Sequence, residues 1–311
     1  MDTKKIGIIY CPKHLPFTTI GKQWERIATL LEEHHIEYDM VMSEKPQGVE
    51  RLMQMMISNG YETIVIAGGD SALNGAVNCL MRYEKHVRNR IVLGVIPNGV
   101  MNDFALFWGF RKDNLDSTIE SLVEKRIRKI DVGCIRYTDN EGMQKQRYFI
   151  NCLNIGLFAA IQRMKQRTRR WLWSRKLSFV VNMLLMVFLK MEYSMTYTIN
   201  YVKEKHHVTT MCIGNARGYG QTPNAVPYNG MLDVTMVRST LLMQFVEALG
   251  LFLRGQILNH KRVIPYRSHF IDIELSKGTP VSIDGHSMET PVGEFRVSVE
   301  QEELNFIIEK I

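Results

Sequence analysis

The sequence predicts an α/β domain built on a parallel sheet, followed by an antiparallel β-sandwich domain with helical insertions. Three observations carry this expectation. Short β-rich runs alternate with helical patterns up to about Arg128. From there to the C-terminus β runs dominate, many of them alternating polar and apolar residues. The chain of 311 residues is about twice the length of a typical domain of roughly 150 residues. The expected domains are 1–128 and 129–311, with the last strand a candidate to return to the first domain.

In the first part the β runs are Ile6–Tyr10, Glu37–Met42, Thr63–Ala67 and Ile91–Ile96. Between them Trp24, Ile27, Ala28 and Leu31 recur at i, i+3, i+4 and i+7, as do Val49, Leu52, Met53 and Met56, and again Leu73, Ala76, Val77 and Leu80. Strand, helix and strand in repetition make a parallel sheet, and core packing accounts for all of these apolar positions. In the second part the runs are Lys129–Arg136, Tyr148–Leu153, Met195–Val202, Val208–Ile213, Leu232–Val237, Phe270–Leu275, Pro280–Ile283, Glu294–Val299 and Leu304–Ile308. Helical insertions interrupt them at about Leu157–Lys190 and Leu241–Leu253.

At 45% hydrophobic and 23% charged residues, with 22 Gly and 9 Pro, the composition excludes a disordered or collagen-like chain. Lys+Arg 39 against Asp+Glu 32 gives a net charge of +7, which favours anionic partners. Cys11, Cys79, Cys134, Cys152 and Cys212 lie far apart and form neither a zinc-binding spacing nor a disulfide framework. The first apolar run is too short for a signal peptide. Leu177–Leu189, the longest uncharged apolar stretch, reaches only about 20 Å as a helix against a bilayer core of about 30 Å. Neither export nor a membrane span is expected, so the expected location is cytoplasmic.

Two glycine turns follow buried β runs. In the first, Gly68-Gly69-Asp70-Ser71-Ala72-Leu73-Asn74 joins a strand to a helix; in the second, Ile96 leads into Pro97-Asn98-Gly99-Val100-Met101-Asn102-Asp103-Phe104. Glycines admit close backbone approach to a ligand, and a helix N-terminus favours an anion. At the C-terminal ends of parallel strands, such turns line the ligand crevice. Taken singly, each turn is equally compatible with a helix cap.

Taken together, in this order and followed by Ile130-Asp131-x-Gly133, they resemble the diacylglycerol kinase catalytic-domain family of bacterial lipid kinases, relatives of sphingosine and ceramide kinases. Gly214-Asn215, Pro223-x-Ala225, Asn229-Gly230-x-Leu232-Asp233 and Asp284-Gly285 continue the resemblance along nearly the whole chain. It implies ATP and Mg²⁺ as nucleotide and metal, and a lipid hydroxyl as phosphoryl acceptor. By resemblance Asp70 would hold Mg²⁺ through water, and Asp103 and Asp131 would extend an acidic network. Gly68, Gly69, Ser71, Ala72, Asn74, Gly99, Val100 and Asn102 would surround the nucleotide.

Departures from the family pattern cluster at these loops. Gly-Gly-Asp-Gly-Thr of the family becomes Gly68-Gly69-Asp70-Ser71-Ala72, and a Cβ at 71 is costly if φ is positive there. Gly75 replaces a Glu, Val100 a Thr, Leu106 an Arg, and Cys11 an Asn. The family's Asp-Gly-Glu, whose Glu is its expected general base, reads Asp284-Gly285-His286. A neutral imidazole can accept a proton near pH 7, so His286 is the candidate base, with Glu289 as a nearby carboxylate. Asn229 stands where the family has an Asp helping to hold a structural Mg²⁺, which weakens that metal position.

Between Arg163 and Lys176 seven basic residues surround Trp171 and Trp173. Indole rings suit the headgroup level, and cations gain at an anionic leaflet. Arg169, Arg170, Trp171, Trp173, Arg175 and Lys176 are therefore expected membrane contacts, making the protein peripherally membrane-associated. Nucleic acid is not an expected partner, for want of a recognition motif. The acceptor lipid is open, and so is the oligomeric state, a homodimer included. Two readings follow: an active, divergent lipid kinase, or a catalytically silent descendant that binds lipid or nucleotide.

Overall fold

The structure, a computed structural model, describes residues 5–12, 20–43, 48–99, 102–168, 192–217, 221–238 and 242–309. Val100, the expected membrane contacts Arg169, Arg170, Trp171, Trp173, Arg175 and Lys176, and the apolar stretch Leu177–Leu189 lie outside the described residues. The chain divides into two compact units, Met1–Val132 with Gln301–Ile311, and Gly133–Glu300.

The first unit alternates strands and helices: β1 (Ile6–Tyr10), α1 (Ile20–Glu33), β2 (Tyr38–Met42), α2 (Val49–Ser58), β3 (Thr63–Gly68), α3 (Asp70–Leu80), α4 (Lys85–Arg88), β4 (Val92–Pro97), α5 (Asp103–Phe107) and α6 (Leu115–Glu124). Its sheet runs β4-β3-β1-β2, all parallel, with Gly7 opposite Ile64 and Gly68 opposite Pro97. The end of β15 (Val292–Ile307) adds a fifth parallel strand, Asn305 lying opposite Val92. Every residue of β1 and β3 is buried, whereas β2 is half-exposed. That is the burial of central strands covered by helices on both faces, with β2 at the edge. Because β3 and β4 end in register at Gly68 and Pro97, the two glycine turns leave the sheet side by side.

The second unit is the antiparallel β-sandwich that the alternating runs predict. Its strands are the end of β5 (Ile127–Thr138), β6 (Gln144–Phe149), β7 (Cys152–Gly156), β8 (Tyr193–Ile199), β9 (Val202–Gly214), β10 (Leu232–Arg238), β11 (Val263–Ser268), β12 (Phe270–Leu275), β13 (Val281–Ile283), β14 (His286–Met288) and the start of β15. They run β14-β13-β7-β9-β8-β12-β15, with β10 joining β9 to β11 and β5 pairing β6. Leu153, Met211, Ile213, Val234, Ile273 and Val297 are fully buried in its core. Helix α7 (Leu157–Thr168) follows β7, and α8 (Leu242–Leu253) packs Ala248 and Phe252 against Val237, Ile257 and Val263.

Several expected runs are redrawn, and Tyr148–Leu153 is divided between the end of β6 and the start of β7. The run Met195–Val202 is split, because Asn200 and Tyr201 both take positive φ and close a two-residue hairpin between β8 and β9. Conversely, Glu294–Val299 and all but the last residue of Leu304–Ile308 are parts of one strand, β15. Its irregularity is at Glu302, which has φ +50° and donates its backbone N–H to Asp131 Oδ1 at 2.9 Å.

Candidate active site

The two glycine turns are packed on each other. Asn98 and Gly99 both donate their backbone N–H groups to the Gly68 carbonyl, at 2.9 and 3.0 Å. A Cβ on Gly99 would stand 2.2 Å from Gly69 Cα, so only glycine allows this approach. Asn102 completes the second turn: its Oδ1 accepts the Gly99 N–H at 3.0 Å and its Nδ2 donates to the Gly99 carbonyl at 3.2 Å. Lys112 Nζ donates to the same carbonyl.

Gly69 is the extended N-cap residue of α3, so Asp70, Ser71, Ala72 and Asn74 all belong to that helix. The condition for a cost at 71 is not met: Ser71 is helical and has no positive φ. Asn74 is buried and receives Asn78 Nδ2 at its side-chain oxygen, 3.1 Å away. Cys11, just after β1, donates its backbone N–H to Ala67, and burial pushes its thiol up to about 12, so it is a neutral neighbour.

The carboxylates fall into separate environments. Asp70 is buried, and its two oxygens accept the backbone N–H groups of Asp103 (2.8 Å) and Phe104 (3.2 Å), the opening residues of α5. It thus ties the first turn of α3 to the start of α5, thirty-three residues away. Burial first, and the charge of Asp70 second, push the Asp103 carboxyl up to about 6. Two neighbouring carboxylates match in number the one or two that bind Mg²⁺ while water and phosphate complete its shell, with both Asp70 oxygens also accepting backbone N–H groups. Asp131 is buried in β5, with Oδ1 on the Glu302 N–H.

In the second unit, Asp284-Gly285 is the two-residue turn of the β13–β14 hairpin, with φ of +43° and +82°. The Asp284 carboxylate reaches back to the chain entering β7 and accepts three backbone N–H groups. These come from Ile150 at 2.8 Å, Asn151 at 3.0 Å and Cys152 at 2.9 Å. The hairpin that carries His286 is thereby anchored. Burial, with the Arg147 charge second, holds His286 below its ordinary value, against a smaller opposing effect of the Asp284 backbone. The imidazole is therefore neutral at pH 7 and able to accept a proton. Glu289 is exposed and accepts Asn140 Nδ2 at 3.3 Å, so it belongs to the surface beyond β14.

Asn229 does not assemble a metal position. Its Oδ1 accepts the Met231 N–H at 3.0 Å, and the Gly230 carbonyl is bonded to His269 Nδ1 at 2.7 Å. Arg267 takes Asp233 Oδ1 with both Nε and Nη2. Oδ2 of Asp233 remains, one carboxylate oxygen against the roughly six oxygens a hard cation takes, so these residues do not fit a structural Mg²⁺. Among the described residues, no group of three or more His, Cys, Asp or Glu is placed to hold a metal.

Sequence reasoning missed three contacts: Asp284 to residues 150–152, Asp131 to Glu302, and Lys112 to Gly99. All join positions distant along the chain, and only the Asp-Gly turn signal at 284–285 hinted at any of them.

The diacylglycerol kinase catalytic domain matches residues 17–135, and the YegS C-terminal NAD kinase beta sandwich-like domain matches residues 151–306. The chain belongs to the diacylglycerol kinase catalytic-domain family. By family it is a lipid kinase, a phosphotransferase. The diacylglycerol kinase of Bacillus subtilis is 23% identical over 238 residues, 76% of this chain and 74% of that one. The diacylglycerol kinase of Staphylococcus carnosus is 23% identical over 293 residues, 91% and 88% of the two chains. A diacylglycerol kinase from Bacillus anthracis shares the fold, with TM-score 0.71 at 18% identity over 99% of this chain and 98% of that one. In this member of the family the first unit holds the two glycine turns and the Asp70–Asp103 pair together.

Proposed function

We propose that this protein transfers the γ-phosphoryl group of ATP to the hydroxyl of a diacylglycerol-like or sphingoid lipid at a membrane surface. The observation that carries the reading is the Asp70–Asp103 carboxylate pair beside two glycine turns in backbone contact. Phosphoryl transfer asks a protein mainly for positioning and charge neutralisation. The turns around Gly69 and Gly99 supply close backbone approach for phosphates. Asp70 and Asp103 would hold Mg²⁺, which when bound neutralises the phosphate charge.

The acceptor hydroxyl oxygen forms a bond to the γ-phosphorus as the bond from that phosphorus to the β–γ bridging oxygen breaks, and ADP leaves. By the resemblance the hydroxyl proton passes to the residue at the family's base position, His286, whose neutral imidazole can accept it. Asp284 acts through His286 by fixing its hairpin, and it is a positioning residue. Membrane-surface action is supported by the basic, tryptophan-bearing sequence Arg163–Lys176. No helix among the described residues is long and apolar enough to cross a membrane.

The test is incubation with Mg²⁺, γ-labelled ATP and mixed micelles of total bacterial lipid, with label followed into the organic phase and the product identified by chromatography. Labelled lipid phosphate is the expected product. Sedimentation with phosphatidylglycerol vesicles at low salt tests the membrane reading, and failure to sediment would overturn it.

A further inference from the structure

Leu106, which follows Asn102-Asp103-Phe104-Ala105, is exposed and carries no charge. The first unit brings a cation to the second glycine turn from further along the chain. Lys112 Nζ donates to the Gly99 carbonyl, on the turn whose glycine is in backbone contact with Gly69. Lys112 is itself an exposed residue.

The short segment around Lys112 is preorganised. Arg111 and Asp113 form a two-point ion pair, Nε to Oδ1 at 3.0 Å and Nη2 to Oδ2 at 3.1 Å. Asn114 donates its N–H back to the Arg111 carbonyl at 3.3 Å, closing a turn, and its Oδ1 accepts the Ser117 N–H as the N-cap of α6. Lys112 thus stands at the tip of a turn pinned on both sides. A lysine is a compact point charge on a flexible stem, suited to exchanging a carbonyl partner for a phosphate oxygen. A carbonyl carries only a partial charge, so an anion beside the turn is the stronger partner.

We propose that Lys112 is the phosphate-binding cation of the nucleotide site, contacting the terminal phosphates of ATP beside the Gly99 turn. This rests on the nucleotide reading given above. The experiment is calorimetric titration of wild-type protein, Lys112→Met, Lys112→Arg and Lys112→Glu with ATP, ADP and adenosine, at two salt concentrations, with thermal unfolding of each variant. The account expects Lys112→Met to weaken ATP about tenfold, the scale of one lost charge-assisted hydrogen bond, and to leave adenosine unchanged. Lys112→Arg should stay close to wild type, Lys112→Glu should weaken ATP further, and the ATP loss should shrink as salt rises.

Unchanged ATP affinity in Lys112→Met would overturn the proposal. So would equal losses for ATP and adenosine, which would make Lys112 a pin for the Gly99 carbonyl and nothing more. Both of these results leave the kinase reading standing. If the wild-type protein bound no nucleotide, both readings would fall together.

Discussion

Asp70 accepts the backbone N–H of Asp103 at 2.8 Å, and the charge of that same carboxylate helps burial to raise the Asp103 side chain to about 6. One acidic residue therefore fixes the position of the next and makes its ionisation unfavourable. The arrangement holds two negative groups together in the folded protein, to the benefit of a cation.

The first prediction concerns pH. Asp103 binds its proton more tightly folded than unfolded, so its contribution to stability is complete below about 4 and is lost as pH rises through about 6. Asp103→Asn should therefore stabilise the protein by about 1–3 kcal/mol at pH 8 and by nothing at pH 4. Urea unfolding at the two pH values measures this, and an equal effect at both would contradict it.

A second prediction separates the positioning residue from the base. Removing the Asp284 carboxylate leaves three backbone N–H groups without their acceptor. Asp284→Ala should lose about 2–5 kcal/mol in denaturant unfolding, at about 1–3 kcal/mol for each buried donor left unmade and allowing for relaxation. His286→Gln should leave stability nearly unchanged while lowering the rate of transfer.

His286 also sets the acid limb of the rate profile. Because burial and Arg147 lower its pKa from the ordinary 6.5, the rate should fall with acid only at a pH below that value. Arg147→Gln should move the limb upward. A limb that stays in place in both Arg147→Gln and His286→Gln would assign the proton to another group.

Asp131 can be tested by shape against charge. Asp131→Asn retains an oxygen for the Glu302 N–H, whereas Asp131→Ala removes it, so stability should survive the first change and drop in the second. If transfer also falls sharply in Asp131→Asn, the charge is needed in addition to the hydrogen bond.

The strand and helix alternation of the first unit is legible because its apolar residues have only local tasks: Ile8, Val65 and Leu93 face a sheet buried by helices, and their spacing shows it. The glycine turns are legible as turns from their residue types, but the steric demand on Gly99 comes from Gly69 on the other turn, and only the fold shows it. The contacts that assemble the site are of another kind. Nothing near Asp131 in sequence announces Glu302, and nothing in Arg111-Lys112-Asp113-Asn114 names Gly99 as the partner of the lysine. Whether Ser71 has a positive φ is open in the sequence, and α3, which begins one residue earlier, gives it a helical backbone. Such facts depend on which elements the fold brings together, and periodicity does not encode that.

The most direct test is the rate of γ-label transfer from ATP to micellar lipid, measured across a Mg²⁺ titration for wild-type protein and Asp70→Asn at matched folded concentration. The account predicts labelled lipid with wild-type protein, saturating in Mg²⁺, and no transfer above background with Asp70→Asn. Equal transfer by the two proteins, or no Mg²⁺-dependent transfer by wild-type protein to any lipid, would contradict it.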